Sequence, residues 1–518
     1  MTERVFKSGF DRQQFSLLPP RVDDYVSADN PVRAIDAYVE ALDLARLGFR
    51  HSDRIVGAGQ PPYDPGDLLR LYLYGYINQV RSSRRLEREA VRNLELIWLL
   101  KGLRPGYRTI AKFRQENAAA LKAANRDFVL LLRSLELTGG DLVAIDGAFF
   151  DGNASKSSIL TQGHLNKQLV AIEADIAAYV SSLDAADSEE DTGWREPPEG
   201  GHGGGDPGSA MAALMERRAR LLAEREKMKA SGQTQVSRTD EDARLLSKSG
   251  QRLAGYNVQI AVDEKHKLIV ASAVVNDGND SRQLSPLAVA ARDALGVTGL
   301  TALADAGYYS ADQLEACELA GIDAYVPISG KRGRPVEPGR LARQDFIYEP
   351  AADIYRCPAG EDLRPRPRLK LVQGKPHRRY VPSGPVCSAC ALRARCVGVN
   401  GDTREILRAL NQDAVERHRV RMETAHAEIL MARRKAIAEH PFGTLKCRAG
   451  YRHFLVRGFE KVRGEWSLMA LCYNFTRLLN ILGIDRLIEV IASLLRRSLT
   501  PTLHRKRFNS HVTVPIAD

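Results

Sequence analysis

At Gly139-Gly140 the chain stops reading as helix and starts reading as strand, and the order of the elements beyond that break limits the fold more than any other feature. Leu142-Val-Ala-Ile145 is a short apolar run with strand character, ending at Asp146. A long insertion begins after Lys156. Regular structure resumes at Gly255, where Tyr256 to Val262 and Leu268 to Val275 flank the turn Asp263-Glu-Lys-His266 and read as a hairpin. Ser281 to Leu295 reads as a helix, and Leu300-Thr-Ala-Leu303 as a strand ending near Asp305. Ser310 opens another helix, with Gln313 as its capping-box partner. Ala324 to Ile328 reads as a last strand, with Pro327 at its edge or end. Three early strands in a meander and then strand–helix alternation predict an α/β chain: a mixed sheet flanked by helices.

Several regions are expected around this core. Residues 1–139 read as a helical domain, with helical patterns opening at Asn30-Pro31, Pro65 and Tyr107. Its cations, among them Arg108, Lys112 and Arg114, suit a helix laid in a DNA groove and equally a solvated charged face. Residues 140–328 and 411–497 form the expected catalytic domain. Residues 157–250 are an insertion of two polar helices around a linker, 184–209, whose Asp, Glu, Gly and Pro content reads as disordered. Residues 329–410 form a cysteine-containing, irregular insertion, and 498–518 a tail.

Charge narrows the partner. The chain of 518 residues carries a formal net charge of +11, which favours a polyanion, nucleic acid being the commonest. No apolar run is long enough for a membrane span, and Met1 to Phe10 lacks the apolar stretch of a signal peptide. Seven cysteines, an odd number in a long chain, suit a reducing cytosol. The expected location is cytoplasmic.

Two aspartates carry the chemistry. Asp146 and Asp305 each follow an apolar run and precede small residues, as in Ala144-Ile-Asp-Gly147 and Leu303-Ala-Asp-Ala-Gly307. Adjacent strands can bring them together, and two close carboxylates repel unless a cation lies between them. Oxygen ligation favours Mg²⁺ or Mn²⁺. Two such ions about 3.5–4 Å apart activate a nucleophile and stabilise a leaving oxygen in phosphodiester chemistry. Taken singly, each aspartate also suits a turn or a helix cap.

Leu142 to Asn153, Gly255 to Asp263 and Ala304 to Ser310 resemble the DDE transposases of bacterial insertion sequences, and the likeness spans nearly the whole chain. Ala438-Glu-His-Pro-Phe-Gly-Thr-Leu-Lys446 resembles the region holding that family's third acidic residue. The resemblance implies a ribonuclease-H-like core, a helical N-terminal DNA-binding region, and Asp146, Asp305 and Glu439 as catalytic metal ligands. It also implies double-stranded DNA with terminal inverted repeats, a target DNA, and a homodimer bridging two ends. Relatives share a Tyr, Arg, Glu, Lys signature. Lys446 matches its lysine, while Ala432 and Lys435 stand at its tyrosine and arginine positions. Glu460 and Glu465 are the alternatives to Glu439. Pro441 predicts a helix boundary or kink beside it. Asp151, five residues after Asp146, reads as a turn residue in preference to one that supports the metal ligands from behind. A repressor or scaffold without catalysis, and a nuclease that hydrolyses without joining, remain as other readings.

Further DNA contacts are expected from Lys446, Arg452, Arg457, Lys461 and Arg463, where cations interleave with apolar residues. Trp466 suits a core position or stacking on a base. Cys357, Cys387, Cys390 and Cys396 suit a structural Zn²⁺ site and equally four reduced thiols. Cys317, Cys447 and Cys472 read as buried structural residues.

Overall fold

Pro31 at the first turn, with the Asn30 side chain accepting from the Val32 N–H, starts α1 (Pro31–Glu40). Asp64 and Pro65 do the same for α2 (Pro65–Ile77). The helices α3 (Ser83–Arg92), α4 (Leu94–Leu99), α5 (Tyr107–Glu116) and α6 (Ala118–Ser134) come next. The computed structural model describes residues 21–52, 61–190, 207–248, 250–328, 339–372, 374–397 and 401–499. The chain forms two units, Met1–Leu132 with Thr444–Asp518, and Arg133–Gly443.

The second unit is built on a mixed sheet. Gly139 and Gly140 both donate backbone N–H groups to the buried Asp263 carboxylate, which fixes the entry into β1 (Leu142–Asp151). Then come β2 (Ile159–Thr161), α7 (Gln162–Glu190), α8 (Pro207–Ser231), β3 (Gln235–Ser237), β4 (Arg244–Lys248), β5 (Gln251–Asp263) and β6 (Ile269–Val275). The helix α9 (Leu284–Leu295) ends at Gly296, whose φ of 66° is the left-handed stop that glycine tolerates. After it come β7 (Leu300–Leu303), α10 (Ala311–Leu319) and β8 (Ile322–Tyr325). The sheet order is β4-β5-β1-β7-β8, with β6 also on β5. β1–β5 and β5–β6 are antiparallel, whereas β1–β7 and β7–β8 are parallel. This is the mixed α/β sheet expected from the order of the elements, with α9 packed on it.

Local details differ from the sequence reading. β1 does not stop at Asp146 but runs on to Asp151, because β5 pairs with it through Gly255, whereas β7 pairs only as far as Ala144. Ser310 precedes α10 without a side-chain cap, since Gln313 accepts instead from the Ser285 N–H at 3.0 Å in the first turn of α9.

In the insertion, α7 and α8 pack as an antiparallel pair around Leu165, Leu169, Ile172 and Leu221, closed at the base by the antiparallel β2–β3 ribbon. Of the linker expected over 184–209, residues 184–190 and 207–209 are helical, and 191–206 lie outside the described residues.

The stretch read as irregular is a second, antiparallel sheet. Its strands are β9 (Ile347–Glu349), β10 (Ile354–Arg356), β11 (Asp362–Pro365), β12 (Lys370–Val372), β13 (Lys375–Pro382) and β14 (Ile406–Ala409). A short helix, α11 (Arg393–Cys396), precedes β14. Six strands of three to eight residues, with one face in water, leave almost no apolar pattern to detect. Then α12 (Gln412–Met422) leads to α13 (Ala425–Phe442), which packs on β1, β5, β7 and β8. Pro441 neither ends nor precedes this helix. It lies inside it, and the chain passes into a π-helical turn, Gly443–Arg448.

The chain re-enters the first unit at Thr444 and there forms α14 (Phe459–Leu482) and α15 (Ile484–Leu499). α14 packs on α2 and α5, and α15 on α1. Among the described residues, no single helix is long and apolar enough to cross a membrane. Only α14 and α15 together, bent by 107°, reach that length and hydropathy, and α14 is largely buried. The expected tail falls mostly at 500–518, outside the described residues.

Candidate functional site

The sheet register brings the strands that lead to the two aspartates side by side. Ala144 on β1 is paired with Leu303 on β7, in parallel. Asp146 continues β1 two residues beyond Ala144, whereas Asp305 lies two residues beyond Leu303, past the end of β7, at the start of a short turn. Both carboxylates bear on the Tyr308 phenol. Both are half-buried. Asp146 accepts from the Gly147 N–H at 2.9 Å, and Asp305 accepts from the Gly307 N–H at 2.8 Å.

A buried polar chain lies beside them, with little local sign of it in the amino-acid pattern. Tyr308 donates to Gln259 Oε1. Gln259 Nε2 donates to Asp280 Oδ1 at 2.6 Å and to Asn257 Oδ1 at 2.9 Å, and Asn257 Nδ2 reaches Asp280 Oδ1 at 2.8 Å. Asn257, Gln259 and Tyr308 are fully enclosed. Burial pushes the Tyr308 phenol far above its ordinary value, and the charges of Asp280, Asp146 and Asp305 push it further, against Arg434 of α13. Three carboxylates and one guanidinium therefore crowd around one neutral phenol. Gly147 makes this packing possible: a Cβ there would lie 2.4 Å from Gln259 Nε2. The one available signal was polar Asn257 and Gln259 on a single face of an otherwise apolar strand, a pattern that also fits a face turned to water.

Glu439 is on α13, five residues beyond Arg434. Its side chain is 56% exposed, and its carboxylate lies 3.9 Å from Lys435, the residue at the arginine position of the family signature. Among the described residues, no three His, Cys, Asp or Glu side chains stand close enough together to hold a metal ion, so Glu439 is not gathered with Asp146 and Asp305. The donor set nevertheless fits a hard divalent ion: the Asp146 and Asp305 carboxylates are half-exposed and crowd negative charge around Tyr308. Asp151 is exposed at the end of β1.

The alternatives to Glu439 sit in the other unit. Glu465 is fully buried, accepts from Tyr76 and from the Leu455 N–H, and pairs with Arg114 at 3.3 Å. Glu460 is exposed. Arg114, expected on DNA, is thus enclosed. Burial opposes its charge, and Tyr76 and Glu465 more than offset that. Arg108 and Lys112 are exposed on α5. Arg452, Arg457, Lys461 and Arg463 are also exposed, Arg463 lying over the Phe459 ring, and Lys446 is half-buried. Trp466 is buried and belongs to the core.

Cys357, Cys387, Cys390 and Cys396 line one cavity of about 30 Å³ in the antiparallel-sheet module. Burial pushes the Cys396 thiol up, Arg404 draws it back, and the other three cysteines push it up again. Cys317 and Cys472 are buried as expected, whereas Cys447 is exposed in the π-helical turn.

Residues 227–475 match the family model described as a transposase DDE domain, and residues 20–116 match that of a transposase domain (DUF772). No curated protein matches the chain. Among solved structures, the cryo-EM structure of the piggyBac transposase synaptic complex with hairpin DNA aligns with 92% of this chain and 84% of that one. Identity is 10% and the TM-score 0.28, too low to bear on fold or chemistry.

Proposed function

Since the chain belongs to the DDE transposases of insertion sequences, we propose that it cuts DNA at the ends of its element and joins those ends to target DNA, using Asp146, Asp305 and Glu439. The observation that supports this reading is the pairing of Ala144 with Leu303, two residues before Asp146 and Asp305 respectively.

In this reading the three carboxylates hold Mg²⁺ or Mn²⁺, two ions in all. Bound there, the metal would polarise the phosphodiester and lower the pKa of a water. Water attacks phosphorus, the P–O3′ bond of the strand breaks, and the element's 3′-OH is released. That hydroxyl attacks a target phosphodiester; one P–O bond forms as another breaks, and the displaced target 3′-oxygen takes up a proton. The chain's own residues orient these groups. The hydrogen-bonded chain from Tyr308 through Gln259 to Asp280 packs against Gly147, the residue after Asp146, and supports β1 there. Arg108, Lys112, Arg452, Arg457, Lys461 and Arg463 contact phosphates, and Lys446 offers a point charge to one. The helical N-terminal block binds terminal inverted repeats, and two copies bridge two ends. The action takes place on DNA in the bacterial cytoplasm.

The test is a cleavage and strand-transfer assay on element-end DNA with Mg²⁺, with Mn²⁺ and with chelator. Joined products that need metal support the reading. Nicked DNA without joined product would make the chain a nuclease, and end binding without cleavage a repressor.

A further inference from the structure

We propose that Cys357, Cys387, Cys390 and Cys396 bind one structural Zn²⁺ that staples the antiparallel-sheet module. Cys357 follows β10, Cys387 and Cys390 lie in the turns after β13, and Cys396 ends α11, so chain segments remote in sequence meet at one cavity. All four thiols are free, and the cavity has room for a single small occupant.

Three features of the surroundings suit a thiolate-bound cation. First, Cys357 to Glu361 forms a tight knuckle. The Cys357 N–H donates to the Glu361 carbonyl and the Gly360 N–H to the Cys357 carbonyl, each at 2.9 Å, while the Glu361 N–H reaches Cys357 Sγ at 3.3 Å. Gly360, at φ 86°, permits the turn. An N–H aimed at sulfur stabilises the ionised ligand. Second, charge is balanced. Four thiols release four protons to Zn²⁺ and leave a centre of net charge −2, and two guanidiniums, Arg393 and Arg404, line the same cavity. Arg404 Nε is buried and has no hydrogen-bond partner among the described residues. Third, the module is short of core. Its buried apolar cluster is Phe346, Tyr355, Leu363, Tyr380, Cys396, Val397 and Ile406. A core that small ordinarily needs a covalent or metal staple. The four cysteines line one cavity, but among the described residues no three such side chains already stand close enough to hold an ion, so binding draws the thiols together. Sulfur donors select zinc over the hard ions suited to Asp146 and Asp305.

The experiment uses the full chain, purified in reductant without added metal. Elemental analysis is expected to find one zinc per chain, held through dialysis. Cobalt exchange should give a thiolate-to-cobalt charge-transfer band. Cys357→Ser and Cys390→Ser should lower zinc at least about tenfold, since loss of one of four ligands opens the site, while Cys447→Ser and Asp146→Ala keep it. If the variants fail to fold, X-ray absorption of the natural protein decides, with four sulfurs at about 2.3 Å expected. A folded, zinc-free chain, a shell of oxygen or nitrogen, a Cys387–Cys390 disulfide, or equal loss of zinc in Cys447→Ser would each overturn the proposal.

Discussion

Leu303 pairs with Ala144 at the end of β7, and Asp305 and Asp146 each follow that pair by two residues, Asp146 still on β1 and Asp305 in the turn beyond β7. Main-chain pairing sets the strands from which the two acids emerge, so replacing either side chain leaves that frame standing.

Asp146→Asn and Asp305→Asn should each lower strand cleavage by about a thousandfold or more, the scale of losing a principal partner of transition-state charge. Binding of element-end DNA should stay within about twofold, because phosphate contacts elsewhere supply it. Gel assays of cleavage and of mobility shift, run on the same preparations, check both. Either variant cutting at the natural rate removes that residue from the chemistry.

Gln259→Leu should destabilise the protein by about 1–3 kcal/mol, since it strips the Tyr308 hydroxyl and Asp280 of enclosed partners. Cleavage should fall as well, as the support under β1 loosens. Denaturant unfolding followed by intrinsic fluorescence reads the first effect. An unchanged midpoint would mean that the polar chain is incidental.

Arg114 and Arg457 should behave in opposite ways. Arg114→Ala leaves the enclosed Glu465 carboxylate without its counter-charge and should cost about 3–5 kcal/mol of stability. Arg457→Ala, at an exposed site, should leave melting unchanged and reduce the salt slope of DNA binding by about one. Binding titrations at several salt concentrations, alongside melting curves, separate the two.

His418 makes stability depend on pH. Burial depresses its pKa, and it bonds to the Val326 carbonyl at 2.8 Å. The unfolded chain therefore takes up a proton that the folded chain refuses. Stability is full above the ordinary histidine value of about 6.5 and declines as pH falls from there toward the depressed folded value. His418→Gln should flatten that part of the profile. A variant with the same acid slope as the natural protein would assign the slope elsewhere.

The core strands were legible because Leu142 to Ile145 is apolar throughout and Leu300 to Leu303 is apolar but for Thr301, as parallel pairing inside a covered sheet favours. Other features had no comparable mark. β13 reads Lys-Pro-His-Arg-Arg-Tyr-Val-Pro, half of it basic side chains, and only Tyr380 and Pro382 are buried along it. Arg114 shares a helix with the exposed Arg108 and Lys112, and only the distant Glu465 tells them apart. Gln259 looks like a residue turned to water until Asp280 and Tyr308 close over it. In each case the deciding partner lies far away in sequence, where local pattern carries no information.

The helical pair α7–α8 interrupts the chain between β1 and β5, which are central neighbours in the sheet. Ordinarily so long a detour would tax the search for that pairing, because entropy of ring closure grows with contour. Here Ile159 zips to Ser237 and Thr161 to Gln235, cinching the detour at its neck. With that neck closed, the excursion shrinks to two short tethers, and the central strands are joined as though by an ordinary loop.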